Sequence, residues 1–306
     1  MVPPPDESER PLSQQAFRAG VLGNVFLAAT KLAAGAHAGL PALMADGWHS
    51  LADAATNATA WIVDALAQGE PDEDHHYGHG KLEALASLAV GLLILAGGVT
   101  LAASAFDFGE LPQAGWPLWI AFVVAVLSIV VNLVLARAAR KAATEEHAGL
   151  LQVLFRDNLS DALASGLVVI AILGSLAELP WAEPVATFVI GLGVVVMGVR
   201  SARSGFDVLM DRSDPDLRVT ILRSARSVDG VRWVQRVRAR PIGGRILVDL
   251  DVSVNGTMSV EEGHTLAHLV EEAVTRDHPL VREVHVHVQP GPPGSNTPGT
   301  GSPTTT

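Results

Sequence analysis

Apolar residues along this chain fall into six long runs, and then the pattern changes. The runs cover residues 17–37, 40–66, 82–105, 115–137, 149–174 and 182–203. Each is about as long as the roughly 20 residues that cross a bilayer as a helix. They are rich in Ala, Val, Leu and Gly, and small residues let helices approach closely in lipid. Beyond Asp211 no such run recurs. Residues 216–227 read as a short amphipathic helix, and 231–240 and 245–254 alternate as half-buried strands do. The stretch 241–244, Pro-Ile-Gly-Gly, reads as the turn between them. Residues 260–276 read as a helix with Leu266, Leu269, Val270 and Val274 on one side, and 281–288 as a third strand.

The expected fold class is therefore an α-helical membrane protein. Six transmembrane helices are followed by a small α+β domain of order αββαβ, ferredoxin-like, with helices on one face of its sheet. The expected boundaries are a tail at 1–16, a transmembrane domain at 17–207, the α+β domain at 208–290 and a disordered Gly/Pro/Ser/Thr tail at 291–306. The uncovered face of the small sheet predicts pairing with a second copy, hence a homodimer in a lipid bilayer.

Charge sets the orientation. Arg18, Lys81, Arg137, Arg140, Lys141, Arg200 and Arg203 lie at one set of loops, and the opposite loops hold no Lys or Arg. The positive-inside rule places both termini and the α+β domain in the cytoplasm. A net charge of −11 argues against a nucleic-acid partner. The absence of cysteine excludes disulfides and thiolate metal sites. The polar, proline-rich start lacks the form of a signal peptide, so the first membrane helix is expected to direct insertion.

Polar residues inside the apolar runs carry the chemistry. His49 and Asp53 are four apart in the second run, and Asp157 and Asp161 repeat that spacing in the fifth. Residues four apart share one helix face. Carboxylates at membrane depth cost roughly 2.5–3.5 kcal/mol on insertion scales, so they face a bundle interior or a water path. One imidazole and three carboxylates can close a four-ligand divalent-metal site. The alternative is a set of satisfied polar groups packed between helices. Lys31, inside the first run, needs a partner, and Asp46 is the candidate. The loop 71–81 is dense in carboxylates and imidazoles, with Asp72, His75 and His79 as the chosen ligands of a second site. A solvated polar loop is the competing reading. In the α+β domain, His285 and His287 are two apart on a strand and share a face.

Ordered along the chain, His49-Ser50-Leu51-Ala52-Asp53, Tyr77-Gly78-His79-Gly80-Lys81-Leu82-Glu83, Asp157-Asn158-Leu159-Ser160-Asp161 and Leu209-Met210-Asp211-Arg212 resemble the cation diffusion facilitator family of divalent-metal/proton antiporters. The resemblance implies that His49, Asp53, Asp157 and Asp161 form the transport site between the second and fifth helices. It implies that Asp72, His75 and His79 match the loop site of bacterial members, and that Lys81 and Asp211 form a charge interlock at the dimer interface. Asp249, His264 and His287 fall where cytoplasmic ligands occur in related chains, with His285 a weaker candidate. The expected substrate is Zn²⁺ exchanged for H⁺ across the cytoplasmic (inner) membrane, with no enzymatic activity. The chain departs from zinc members in beginning its fifth-helix pair with Asp157. Mn²⁺ or Fe²⁺ export is therefore the leading alternative, and Co²⁺ and Cd²⁺ are further candidate ions. An intramembrane metalloenzyme would need an open coordination position and a general base, and no His-Glu-x-x-His pattern is present. A metal-sensing membrane receptor would not need paired ionisable residues at membrane depth.

Overall fold

The structure is a computed structural model that describes residues 12–67, 72–106, 115–146 and 149–291. The predicted tail segments 1–11 and 292–306 lie outside the described residues. Six long helices come first: α1 (Leu12–Ala38), α2 (Pro41–Ala67), α3 (Lys81–Ser104), α4 (Trp116–Glu146), α5 (Gly149–Leu176) and α6 (Ala182–Leu209). Then follow α7 (Pro215–Arg226), β1 (Trp233–Ile242), β2 (Arg245–Val254), α8 (Val260–Asp277) and β3 (Val281–Pro290). The chain forms two compact units, one from Met1–Ile62 and Ala86–Arg203, the other from Val63–Leu85 and Ser204–Thr306.

In the first unit, four helices among the described residues, α3 to α6, are long and apolar enough to cross a membrane. The other two, α1 and α2, carry Lys31, Asp46, His49 and Asp53, and this polarity is what the site below requires. Two helix ends differ from expectation. Helix α1 begins at Leu12, inside the segment predicted as a tail to residue 16. The fourth helix runs on to Glu146, because 137–146 contains no Gly or Pro to end it.

Close helix approach rests on glycine. A Cβ at Gly47 would sit 2.9 Å from the Leu32 backbone nitrogen, so this glycine lets α2 lie against α1. Gly91, Gly98, Gly191 and Gly198 do the same between α3 and α6, where added side chains would strike the facing backbone. Leu40, Leu43, Val168, Ile172 and Ile190 form an apolar cluster in this unit.

In the second unit, α7 starts at Pro215, capped by Asp214, whose side chain accepts from the Asp216 N–H. The sheet order is β1-β2-β3, with β1 antiparallel and β3 parallel to β2. The expected four-residue turn is tighter: Pro241 and Ile242 belong to β1, and only Gly243 and Gly244, at φ 56° and 68°, make the turn. Positive φ at both central residues suits a two-residue hairpin, and an edge strand tolerates Pro241. Helix α8 opens with a capping box of Ser259 and Glu262. Ile221, Val248, Leu250, Val252, Leu266, Val270 and Val274 form the core between the helices and one sheet face. Leu269, expected on that side, is exposed, because it lies beside the buried stripe of Leu266, Val270 and Val274.

Candidate metal centre

The first unit places its polar residues on facing helices. Helix α2 presents Asp46, His49, Ser50 and Asp53 at spacings of three and four, one continuous face. Helix α5 presents Asp157, Ser160, Asp161 and Ser165 in the same way. Ligand atoms of His49, Asp53 and Asp161 come within 4.8 Å of one another. The His49 Nε2 lies 3.8 Å from Asp53 Oδ2 and 3.4 Å from Ser160 Oγ. Three atoms of this group, His49 Nδ1, Asp53 Oδ2 and Asp161 Oδ2, are buried without a protein hydrogen-bond partner. Buried polar atoms are normally paired, so unpartnered atoms on three clustered ligand-type residues mark a place for a further partner. A divalent cation fits the chemistry of this donor set. Asp157 is one turn before Asp161 on α5 and stands outside the group of three.

Lys31 finds the expected partner. Its ammonium donates to Asp46 Oδ1 at 3.0 Å and to Ser50 Oγ at 2.9 Å, with both side chains of the ion pair fully buried. Ser50 donates to Asp161 Oδ1 at 2.8 Å, and Ser165 donates to Asp46 Oδ2 at 2.8 Å. Neither serine stands out in the sequence as a functional residue. A signal is nonetheless there: Ser50 follows Asp46, and Ser165 follows Asp161, by the same four residues that relate the ligand pairs.

The second unit holds the loop residues. Asp72, His75 and His79 come within 4.8 Å of one another, with His75 Nδ1 at 3.0 Å and His79 Nε2 at 3.3 Å from the Asp72 carboxylate. Partial desolvation acts to raise the Asp72 carboxyl. Hydrogen bonds from the His75 N–H and ring and from the Asp74 N–H outweigh it, holding the group below its ordinary 3.8. Gly80 packs against Ile242 at the end of β1 and Gly243 of the hairpin turn, and the Arg240 guanidinium lies 5.1 Å from the Tyr77 ring centroid. Lys81 donates to Asp211 at 3.1 Å, and Asp211 takes a left-handed φ of 55° just past α6.

The α+β candidates divide into two sets. Asp249 and His285 are register partners on the open face of the sheet, which His287 shares, beside Asp251. His264 sits instead on α8, the helix covering the other face, with its Nε2 3.2 Å from His268 Nε2. His268 Nδ1 is 3.0 Å from Glu271. Among the described residues of one chain, His264 does not join Asp249, His285 and His287 in one cluster.

Two family models cover most of the sequence. The cation efflux transmembrane domain matches residues 18–210, and the cation efflux protein cytoplasmic domain matches residues 214–291. The chain belongs to the cation diffusion facilitator family. It is thus a membrane-spanning divalent-metal efflux protein with a helical domain and a cytoplasmic α+β domain. This facilitator is 28% identical over 288 residues to the manganese efflux system protein MneP of Bacillus subtilis, covering 91% of this chain and 96% of that protein. It is 27% identical over 297 residues to metal tolerance protein C1 of Arabidopsis thaliana, covering 90% of this chain but only 62% of the plant protein. Among solved structures, the copper form of the MamM C-terminal domain is 29% identical, covers 26% of this chain and 78% of its own, and superposes with a TM-score of 0.26.

Proposed function

We propose that this facilitator is a homodimer that exports a divalent cation from the cytoplasm across the inner membrane in exchange for protons, with His49, Asp53, Asp157 and Asp161 as the transport ligands. The clustering of His49, Asp53 and Asp161 inside apolar helices, each with a buried atom that lacks a protein hydrogen-bond partner, carries the reading. Carboxylates and imidazole bind metal only when deprotonated, so ion and proton compete for the same atoms. That competition, with the site opening alternately to each side, is the physical basis of exchange. Asp157 completes the set when the helices close on the ion.

Zn²⁺ is the first substrate reading, because an imidazole with carboxylates suits it. A second reading is Mn²⁺. An oxygen-rich set favours harder ions, and the relative MneP is named a manganese efflux protein. The loop residues Asp72, His75 and His79 form an accessory site. Asp249, His285 and His287 of the sheet face, with His264 of α8, serve as the metal ligands of the cytoplasmic domain. Both termini are cytoplasmic, following the loop charges.

The test is transport in reconstituted vesicles under a pH gradient, with Zn²⁺, Mn²⁺, Fe²⁺, Co²⁺ and Cd²⁺ compared and proton movement followed together with metal. Export of one ion with counter-movement of protons is expected. Metal flux indifferent to the gradient would overturn the exchange reading. Replacing His49 by Asp is expected to move preference from Zn²⁺ toward Mn²⁺, and an unchanged ratio would remove His49 from the ligand set.

A further inference from the structure

Linked to Asp161 is a set of buried polar groups that the exchange reaction does not use. Lys31 and Asp46 are each 0% exposed and form an ion pair at 3.0 Å. A buried ion pair is weak evidence of stability, since desolvating two charges offsets their attraction. Its presence among apolar helices calls for another role.

The donors and acceptors set a direction. An ammonium carries protons and no lone pair, so Ser50 Oγ accepts from Lys31 at 2.9 Å. The single Ser50 proton is left to go to Asp161 Oδ1, at 2.8 Å. The other side of the network closes on the same helix, because Ser165, one turn beyond Asp161, donates to Asp46 Oδ2 at 2.8 Å. Lys31 of α1, Asp46 and Ser50 of α2, and Asp161 and Ser165 of α5 thus form one connected set. One oxygen of Asp161 is tied down by it, and the other is the orphan left for the ion. The paired charges of Lys31 and Asp46 cancel, so an incoming cation meets no net repulsion from the lysine.

We propose that Lys31, Asp46 and Ser50 are positioning residues of the transport site: the fixed ion pair holds Ser50, and Ser50 presents the Asp161 carboxylate to the cation. The proposal rests on the transport-site reading above and adds that the affinity of that site is set from α1, by a residue the ion never touches. Groups that orient metal ligands in this way typically change affinity about 10–100-fold when removed.

The experiment uses the full-length dimer in vesicles and reads KM and Vmax for metal separately. Ser50→Ala is expected to raise KM by about 10–100-fold with Vmax little changed. Ser50→Thr, which keeps the hydroxyl, is expected to restore KM. The double change Lys31→Met with Asp46→Leu removes both charges and is expected to raise KM as Ser50→Ala does. Combining all three is expected to add little, as members of one network couple. Lys31→Met alone strands Asp46 and can fail to fold, so the decision rests on Ser50→Ala and on the double variant. Asp161→Ala is run in parallel. A wild-type KM in well-folded Ser50→Ala, beside a dead Asp161→Ala, overturns the positioning proposal and leaves the transport site standing. Normal transport by Asp161→Ala overturns both. A loss of Vmax at unchanged KM in Ser50→Ala, not rescued by threonine, marks a merely structural role and overturns the proposal as well.

Discussion

Two clusters of three ligand-type residues, built from His and Asp alike, differ in what surrounds them. In the first unit, His49 and Asp53 have side chains 9% and 12% exposed, and each has a buried atom without a protein hydrogen-bond partner. In the loop of the second unit, Asp72, His75 and His79 are 49%, 56% and 27% exposed, and they bond to one another and to the backbone. An ion entering the membrane group gains partners for atoms that have none. An ion entering the loop must displace water and hydrogen bonds already made. Unsatisfied buried groups are the costly ones, so the buried group has the larger drive to bind. The loop group is suited to fast, reversible occupancy. Its contacts with the first hairpin, Gly80 against Ile242 and Gly243 and Tyr77 against Arg240, place it where occupancy can be felt by the α+β domain.

The sharpest break in this comparison comes from deleting one ligand on each side. Asp53→Ala or Asp161→Ala is expected to abolish transport in vesicles while the dimer still forms, because an apolar replacement suits a bilayer helix. Full transport by either variant would remove the membrane group from the mechanism. Asp72→Ala is expected to abolish binding at the loop, read by equilibrium titration with the transported ion, yet leave transport measurable at reduced rate. Complete loss of transport in Asp72→Ala would make the loop obligatory and erase the distinction.

The sequence discloses these sites unevenly, for physical reasons. Helices α2 and α5 are legible because ionisable groups four residues apart in apolar runs are too costly in lipid to be incidental. Lys31 is legible as a residue in need of a partner, and Asp46 can be named because it too lies in an apolar run. The partition of roles is not legible: that Ser50 stands between Lys31 and Asp161 depends on how close Gly47 lets α1 come to α2. The hairpin is legible in position but its turn reads too wide, because Pro241 signals a turn unless the strand is an edge. Sequence alone groups His264 with Asp249 and His287, whereas the fold puts helix and open sheet face on opposite sides of one core. Spacing within an element is written in the sequence, and pairing between elements is not.

The Lys81–Asp211 ion pair tests how far burial decides importance. It resembles Lys31–Asp46 in length, 3.1 Å against 3.0 Å, but its side chains are 45% and 43% exposed. Exposed pairs contribute about 0–1 kcal/mol. Lys81→Ala or Asp211→Ala is therefore expected to shift the dimer equilibrium by no more than about 1 kcal/mol, with a larger effect at low salt. The charge swap Lys81→Asp with Asp211→Lys is expected to recover part of it. Sedimentation at several salt concentrations measures this. A loss comparable to that of a buried pair would show that the dimer encloses these residues.

The smallest expected effect lies in the α+β domain, at carboxylates that are open to solvent yet well bonded. The Ser259 N–H, then the Ser259 hydroxyl, hold Glu262 below its ordinary 4.5 against a small opposing desolvation. The Ser224 hydroxyl, from α7, and then the Arg276 side chain hold Asp277 below its ordinary 3.8. A carboxyl depressed in the folded state binds fewer protons there than in the unfolded chain, so it adds stability above its unfolded value. That contribution is expected to be complete above about pH 5 and to fade as pH falls through the depressed folded values. Residues 212–291 carry a closed apolar core and are suited to the measurement as a fragment. Its melting temperature is expected to fall as pH is lowered below about 4.5. The fall is expected to be shallower in Glu262→Gln and Asp277→Asn, which keep hydrogen-bonding groups but cannot titrate. If both variants track the wild-type acid profile, these exposed bonds contribute nothing to folding. Partner satisfaction without burial would then be too weak to matter in this domain, which would sharpen the contrast with the membrane group.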